Sequence, residues 1–349
     1  MRTGILIANL GTPDAPTPRA VRRFLAEMLS DRRIVELPRA LWLPILHGIV
    51  LRVRPKRTAA AYQKIWTDEG SPQLAIARRL ERALRSEVAD RIPAFAGLEL
   101  GMSYRLPRIA EALRRLRNPR ADRILVLPLF PQYSGATTAA VFDQVTRELQ
   151  TWRSIPEVRF VNEYHLAPGY LAALGSSIRE SWRENGRGEH LLMSFHSLPK
   201  RSVALGDPYL EQCQATAQRL ATALELGDQA WSISFQSRFG YQEWLRPYTA
   251  DQLAELAKRG TRRLDVVCPG FSMDCLESLE EIAMQGREQF MKAGGERLNY
   301  IPALNDRADH ISFLASLVEQ HCRGWNESAR KEDAQESAPA ARPARPVSA

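Results

Sequence analysis

The residues best placed for chemistry lie in two short stretches of the 349-residue chain, around His196 and around Glu277. His196 stands in Ser194-Phe-His-Ser-Leu-Pro199, directly after an apolar run at 190–195. A histidine at the C-terminal end of a strand is placed to bind a ligand or to move a proton, although a structural turn histidine fits the same pattern. The second stretch, Gly270-Phe-Ser-Met-Asp-Cys-Leu-Glu277, follows an apolar run at 264–269 and opens a helix near Ser272. Along that helix Asp274, Glu277, Glu281 and Gln285 recur at i, i+3, i+7 and i+11 and share a face. Leu276, Leu279 and Ala283 take the opposite face and can seat the helix on a sheet. Such a row reads either as a solvated face matched to the helix dipole or as hard oxygen ligands along which a divalent cation can pass. With a histidine facing it, the row makes a mixed N/O site suited to Fe(II), Co(II) or Zn(II), without the closed four-ligand set of a structural zinc.

Several classes are set aside. No G-x-x-x-x-G-K-[ST] occurs, and Gly11 and Gly101 belong to no G-x-G-x-x-G, so no nucleotide is expected. No G-x-S-x-G or H-E-x-x-H appears. Cys213, Cys268, Cys275 and Cys322 have no C-x-x-C spacing, which speaks against a zinc ribbon or compact iron–sulfur cluster and for a reduced, cytoplasmic chain. The other five histidines read as structural.

The elements that must position these residues repeat. GILIANLGTP (4–13) resembles HLLMSFHSLP (190–199), GMSYRLP (101–107) corresponds to SFQSRFG (234–240), and RILVLPLF (123–130) resembles LDVVCPGF (264–271). Each is an apolar run, then a turn, then a helical pattern, as buried parallel strands read when helices cover both faces of their sheet. The spacing therefore predicts an α/β protein of two Rossmann-like, doubly wound units related by a pseudo-twofold repeat, with ligands at the carboxyl ends of the strands. The boundaries expected are 1–165 for the first unit, 166–304 for the second, a C-terminal helix at 305–326 packing back on the body, and a disordered tail at 327–349.

The first unit carries an inserted lip at about 38–66 that includes the apolar run Leu41–Leu51. At eleven residues, broken by Pro44, His47 and Gly48, this run is too short to span a bilayer. Residues 14–57 hold ten Arg/Lys against four Asp/Glu, so most of the net charge of +8 sits there. Leu41, Trp42, Leu43, Ile45, Leu46 and Ile49 can form a cleft edge or touch a membrane, and the neighbouring cations can meet an acidic ligand or anionic lipid. No nucleic-acid recognition motif accompanies these cations. The N-terminus reads as a first strand and turn with no signal peptide.

The sequence resembles the ferrochelatase family, whose members insert Fe(II) into a porphyrin. The resemblance runs from about Gly4 to Trp325, carried by NLGTP (9–13), FLAEMLSDRRIVELP (24–38), GMSYRLP (101–107), PLFPQYSGATT (128–138), SFHSLP (194–199), GDPYLEQC (206–213), SFQSRFGYQEWLRP (234–247) and CPGFSMDCLESLEEI (268–282). It implies two Rossmann-like domains around a porphyrin cleft, with His196 and Glu277 as the catalytic pair. It further implies Asp274 and Glu281 as metal-handling acids beside that pair, with Fe(II) as substrate metal. Leu10, Tyr104, Arg54, Arg57, Ser237 and Trp244 fall at positions matching porphyrin contacts. Gln285 and Cys275 depart from carboxylate and histidine positions of some relatives, Leu10 from a Met or Tyr, and Ser103 from an arginine; these departures bear on metal delivery and porphyrin choice. No cysteine-bound iron–sulfur cluster is expected, since the tail offers none beyond Cys322. The resemblance implies a porphyrin partner, either protoporphyrin IX or coproporphyrin III, or a non-catalytic carrier of the same ligand. It is read here with a monomer and with peripheral contact at the inner membrane face.

Overall fold

In a computed structural model of the chain, residues 1–118, 121–240 and 242–325 are described; the tail expected at 327–349 lies outside them. Eight strands form two four-stranded parallel sheets. The first contains β1 (Thr3–Gly11), β2 (Phe95–Tyr104), β3 (Arg123–Pro128) and β4 (Glu157–Phe160), in the order β2-β1-β3-β4. The second contains β5 (His190–His196), β6 (Trp231–Gln236), β7 (Arg263–Val267) and β8 (Arg297–Ile301), in the order β6-β5-β7-β8. The two orders are the same, so the repeat legible in three sequence pairs extends to the whole topology.

Alternation along the strands explains how the sheets are covered. Ile5, Ile7, Leu98, Leu100, Leu125 and Leu127 of the first sheet share a continuous core with Leu191, Met193, Phe195 and Val267 of the second. The intervening Leu6, Ala8, Ile124 and Val126 face the opposite way, against helices Ile109–Arg117 and Thr138–Leu149. Leu192, Leu264 and Val266 do the same in the second sheet, beneath Leu253 of helix Thr249–Lys258 and Ile282. Both faces are buried, which is why the strands read as unbroken apolar runs. The C-terminal helix Ala308–His321 packs on helices Pro72–Arg91 and Pro168–Asn185.

The repeat also shows where the halves diverge. Met102 N–H donates to the Pro107 carbonyl (2.6 Å), and Phe235 N–H donates to the Pro247 carbonyl (2.8 Å). The same closing bond therefore spans five positions in the first half and twelve in the second. A loop lengthened by seven residues follows β6, and the short sequence match at 234–240 hid it. The first half is lengthened instead between β1 and β2, where helix Arg39–Ile45, a π turn at Leu46–Val50 and helix Leu51–Ile65 form the lip.

The lip's apolar run is split by packing. Trp42 is 6% exposed, with its indole N–H donating to the Leu29 carbonyl (2.7 Å), and Leu46 is fully buried. Leu41 (57%), Ile49 (61%) and Val53 (71%) face outward. The expectation that Trp42 and Leu46 belong to an exposed edge is thus corrected: both are the lip's own core, together with Phe24, Leu25 and Tyr62.

Candidate active site

His196 is the last residue of β5 and is only partly buried. Its Nδ1 lies 2.7 Å from the Ser197 carbonyl oxygen. A carbonyl only accepts, so Nδ1 carries the hydrogen, and Nε2 is left in the neutral ring with a lone pair for a proton or a metal.

The acidic helix differs from the one expected. It runs from Glu277 to Gly286 as a π-helix, with i→i+5 hydrogen bonding in place of an ordinary α-helix from Ser272. Glu277 and Glu281 are both half-buried, and Glu281 lies near both Glu277 and His196. Glu281 accepts from the Ser237 N–H (2.8 Å) and also from the Ser237 hydroxyl. Burial pushes the Glu281 carboxyl up, and the charge of Glu277 adds to this against the pull of Ser237 and His196. Leu276 joins the lip core instead of seating the helix on the sheet.

Asp274 stands apart from this pair. It is buried before the helix begins, and its Oδ1 accepts from Ser278 Oγ (2.8 Å) and Tyr300 Oη (2.5 Å), while its Oδ2 accepts from Asn305 Nδ2 (2.8 Å). These bonds tie the turn after β7 to the chain beyond β8. Gln285 likewise turns aside, donating to Glu280 Oε2 (2.7 Å). Glu280, which no spacing argument singled out, is buried and paired with Lys64 of the lip (2.7 Å), so the lip and the acidic helix are fastened directly. Among the described residues, no three His, Cys, Asp or Glu side chains are gathered closely enough to hold a metal ion as placed.

The lip closes the other side. Arg54 lies over the Phe239 ring at 5.0 Å, and burial pushes its guanidinium pKa down while the Glu277 charge acts the other way. Arg57 is exposed nearby. Tyr62 is fully enclosed beside Glu277, and its phenol is pushed well up by burial and by that charge. Cys275 is buried against Glu277 and its thiol is pushed up for the same reasons. Neither Tyr62 nor its role beside the acids is legible in sequence, because the contact joins positions more than two hundred residues apart.

Leu10, near the end of β1, packs on the lip core that includes Tyr104, as do Phe239 and Leu276. Tyr104 is buried and its hydroxyl donates to Asp31 (3.0 Å). Trp244 is buried in the long loop after β6, donating to the Phe239 carbonyl (2.9 Å), with the two rings 5.5 Å apart. Leu10, Tyr104, Phe239 and Leu276 thus form one apolar cluster with the lip, beside Arg54. His196, Glu277 and Glu281 stand at the carboxyl ends of the second sheet, where an open parallel sheet binds its ligands.

Comparison with known proteins bears on the family and the fold. The profile of the family described as Ferrochelatase matches residues 2–322. Ferrochelatase of Nitrosococcus oceani is 55% identical over 327 residues, covering 94% of this chain and 89% of that protein. Ferrochelatase of Thioalkalivibrio sulfidiphilus is 53% identical over 325 residues, covering 93% and 88%. SirB from Bacillus subtilis with Fe3+ superposes with a TM-score of 0.55 at 10% identity, over 94% of this chain and 98% of that one. The sirohydrochlorin chelatase SirB from Bacillus subtilis subspecies spizizenii in complex with cobalt gives 0.54 at 12% identity, over 95% and 98%. At these identities the structures speak for the fold alone, whereas the profile and the curated relatives, over nearly the whole sequence, place this chain in the ferrochelatase family.

Proposed function

We propose that the chain inserts Fe(II) into protoporphyrin IX, releasing the two pyrrole protons, with His196 and Glu277 as the reacting pair. The observation that carries this reading is the Nε2 of His196, left with a lone pair, at the strand ends near Glu281, which in turn lies near Glu277. As iron enters the ring, both pyrrole N–H protons must leave. The neutral imidazole accepts them in turn and passes them to solvent. Glu277, with Glu281 behind it, presents the cation and offsets its charge. Asp274 holds the turn from which the acids spring.

The half-buried Leu10 and Phe239, backed by the buried Tyr104, suit a flat macrocycle, and Arg54, Arg57 and Ser237 suit its carboxylates. Trp244 braces the loop that carries Ser237. Binding energy from these remote contacts can bend the ring toward the geometry in which its nitrogen lone pairs face the incoming metal. The reading includes neither nucleotide nor iron–sulfur cluster: Cys213 and Cys322 are packed in the central core and Cys268 in an outer one. It includes a monomer in the cytoplasm whose outward Leu41, Ile49 and Val53, flanked by Arg52 and Lys56, rest on the inner membrane face. Among the described residues no helix is long and apolar enough to cross a membrane.

The test is anaerobic Fe(II) insertion into protoporphyrin IX and coproporphyrin III, followed by absorbance. Insertion into protoporphyrin IX is expected, with a loss of about a hundredfold or more in His196→Ala. Preference for coproporphyrin III moves the substrate to that ring; tight porphyrin binding without insertion into either makes the chain a carrier. Near-normal turnover in His196→Ala, with loss in Glu277→Gln, overturns the role given to His196.

A further inference from the structure

The loop after β3 and the segment 206–216 are two of the sequence blocks that the site does not use, and they meet each other. Gly135 N–H (2.7 Å) and Ser134 Oγ (3.1 Å) donate to Asp207 Oδ2. The other oxygen of Asp207 accepts from Tyr209 N–H (3.1 Å), at the start of helix Tyr209–Ala223. Tyr133 N–H donates to Gln212 Oε1 (2.7 Å) on that helix.

Gln132 reaches furthest. It is 1% exposed, and its Nε2 donates both to Thr216 Oγ1 (3.0 Å) and to the Pro269 carbonyl (3.2 Å). Pro269 ends the run of β7, from which the turn to Asp274 and Glu277 continues. The next residue, Gly270, is closely packed: a Cβ there would stand 3.2 Å from Phe195, the neighbour of His196, and 3.4 Å from the Tyr209 hydroxyl. One amide from the first sheet's loop therefore holds the strand end that leads to the acids, against the strand end that carries the histidine.

A purely structural tie is poorly served by this choice. The Oε1 atom of Gln132 is buried with no hydrogen-bond partner, a desolvation cost that an apolar side chain of the same shape avoids. Its two donor bonds are what the cost secures. Small displacements of reacting groups are expensive, since about 1 Å of misplacement costs on the order of a hundredfold in rate.

We propose that Gln132 is a positioning residue for iron insertion, sharing with Asp207 the task of setting His196 and the acidic helix against the porphyrin-facing side of the first sheet. This rests on the function proposed above. Gln132→Met keeps the length and removes the amide; Asp207→Asn turns an acceptor into a donor facing Gly135. In the full chain each lowers kcat by about tenfold. The KM for porphyrin changes by less than about threefold, and the thermal midpoint of Gln132→Met stays within a few degrees of the parent. The double variant loses less than the product of the single losses, because one clamp is broken twice.

A second measurement needs no turnover. Nitroxide labels on cysteines introduced at the exposed Ile155 and Met291 report the spacing of the two halves, and that distance distribution broadens in Gln132→Met. An unchanged kcat overturns the proposal, as does a kcat loss that merely tracks lost stability or comes without broadening. If the parent chain inserts no iron at all, the functional reading falls, and with it the reaction that Gln132 serves; the label distances then report only how the halves are joined.

Discussion

Ser237 donates both its backbone N–H (2.8 Å) and its hydroxyl to the carboxylate of Glu281, and does so from a left-handed backbone with φ of 67°. The carboxylate is held in a place where burial and the charge of Glu277 disfavour its ionised form. Ser237→Ala removes one charge-assisted bond, of about 1.5–3 kcal/mol, and moves the Glu281 carboxyl further up. Iron insertion is expected to slow by about tenfold on the acid limb of the pH–rate profile and by less at higher pH, where ionisation of Glu281 is favoured in both proteins. Anaerobic pH–rate profiles of the two proteins check this; a defect independent of pH contradicts it.

Gly11 closes β1 opposite Tyr104 with φ of 108°, and a Cβ there would stand 1.9 Å from the Tyr104 carbonyl oxygen. Gly11→Ala is expected to cost about 3 kcal/mol or more, from backbone strain and from pushing Tyr104 off the lip core. Gly48, in the lip, has nothing within 4 Å of such a Cβ, and Gly48→Ala is expected to be neutral or to stabilise by up to about 1 kcal/mol. Urea midpoints of the two variants give the comparison directly.

His310 is fully enclosed, with its Nδ1 donating to the Asn305 carbonyl (2.7 Å), and burial pushes its pKa down to about 4. The unfolded chain, with an ordinary histidine near 6.5, binds the proton first as pH falls. Stability from this group is therefore complete above about pH 6.5 and is lost toward pH 4, by about 3 kcal/mol in all. His310→Phe lowers stability at pH 7 but flattens the acid limb between those values. Thermal melts across pH 4 to 7 read the slope, and an unaltered acid limb shows that other groups set it.

Membrane contact is tested on the residues that face outward. Ile49→Glu with Val53→Glu is expected to abolish flotation with vesicles rich in anionic lipid while leaving turnover in detergent unchanged. Trp42→Glu is unsuitable for this purpose, since it places a charge in the lip's own core. Equal flotation of parent and variant removes the membrane from the proposed function.

Much of the scaffold was legible because buried parallel strands announce themselves as short apolar runs, and three pairs of them recur in order. His196 and Glu277 stood out as candidates from the rule that such strands bind ligands at their carboxyl ends, and only the family resemblance paired them. What stayed hidden depends on contacts between distant positions. Asp274 shares the spacing of Glu277 and Glu281, yet its partners include Tyr300, within β8, and Asn305, just beyond it. Nothing in the spacing marks Glu280, whose partner Lys64 lies far off along the chain in the lip. The π geometry of Glu277–Gly286 leaves no mark on residue type, because an apolar-and-acidic segment satisfies either helical period. Trp42 sat in an apolar run that composition cannot sort into inward and outward halves.

The residue after β2 and the residue after β6 are both pinned in the left-handed region by a carboxylate: Arg105 N–H donates to Glu27 (3.0 Å), as Ser237 N–H does to Glu281. Burial acts against ionisation of Glu27 too, but hydrogen bonds from Arg105 and the charge of Arg108 outweigh it, and its carboxyl lies below the usual range. The two pins thus differ in sign. A molecule made of two equal halves would offer a flat ligand two indistinguishable faces and two equivalent docking poses. Here the acid of the first half is favoured in its ionised form by arginine, while burial and Glu277 disfavour ionisation of the acid in the second, so equivalent ends of the repeat present chemically distinct carboxylates.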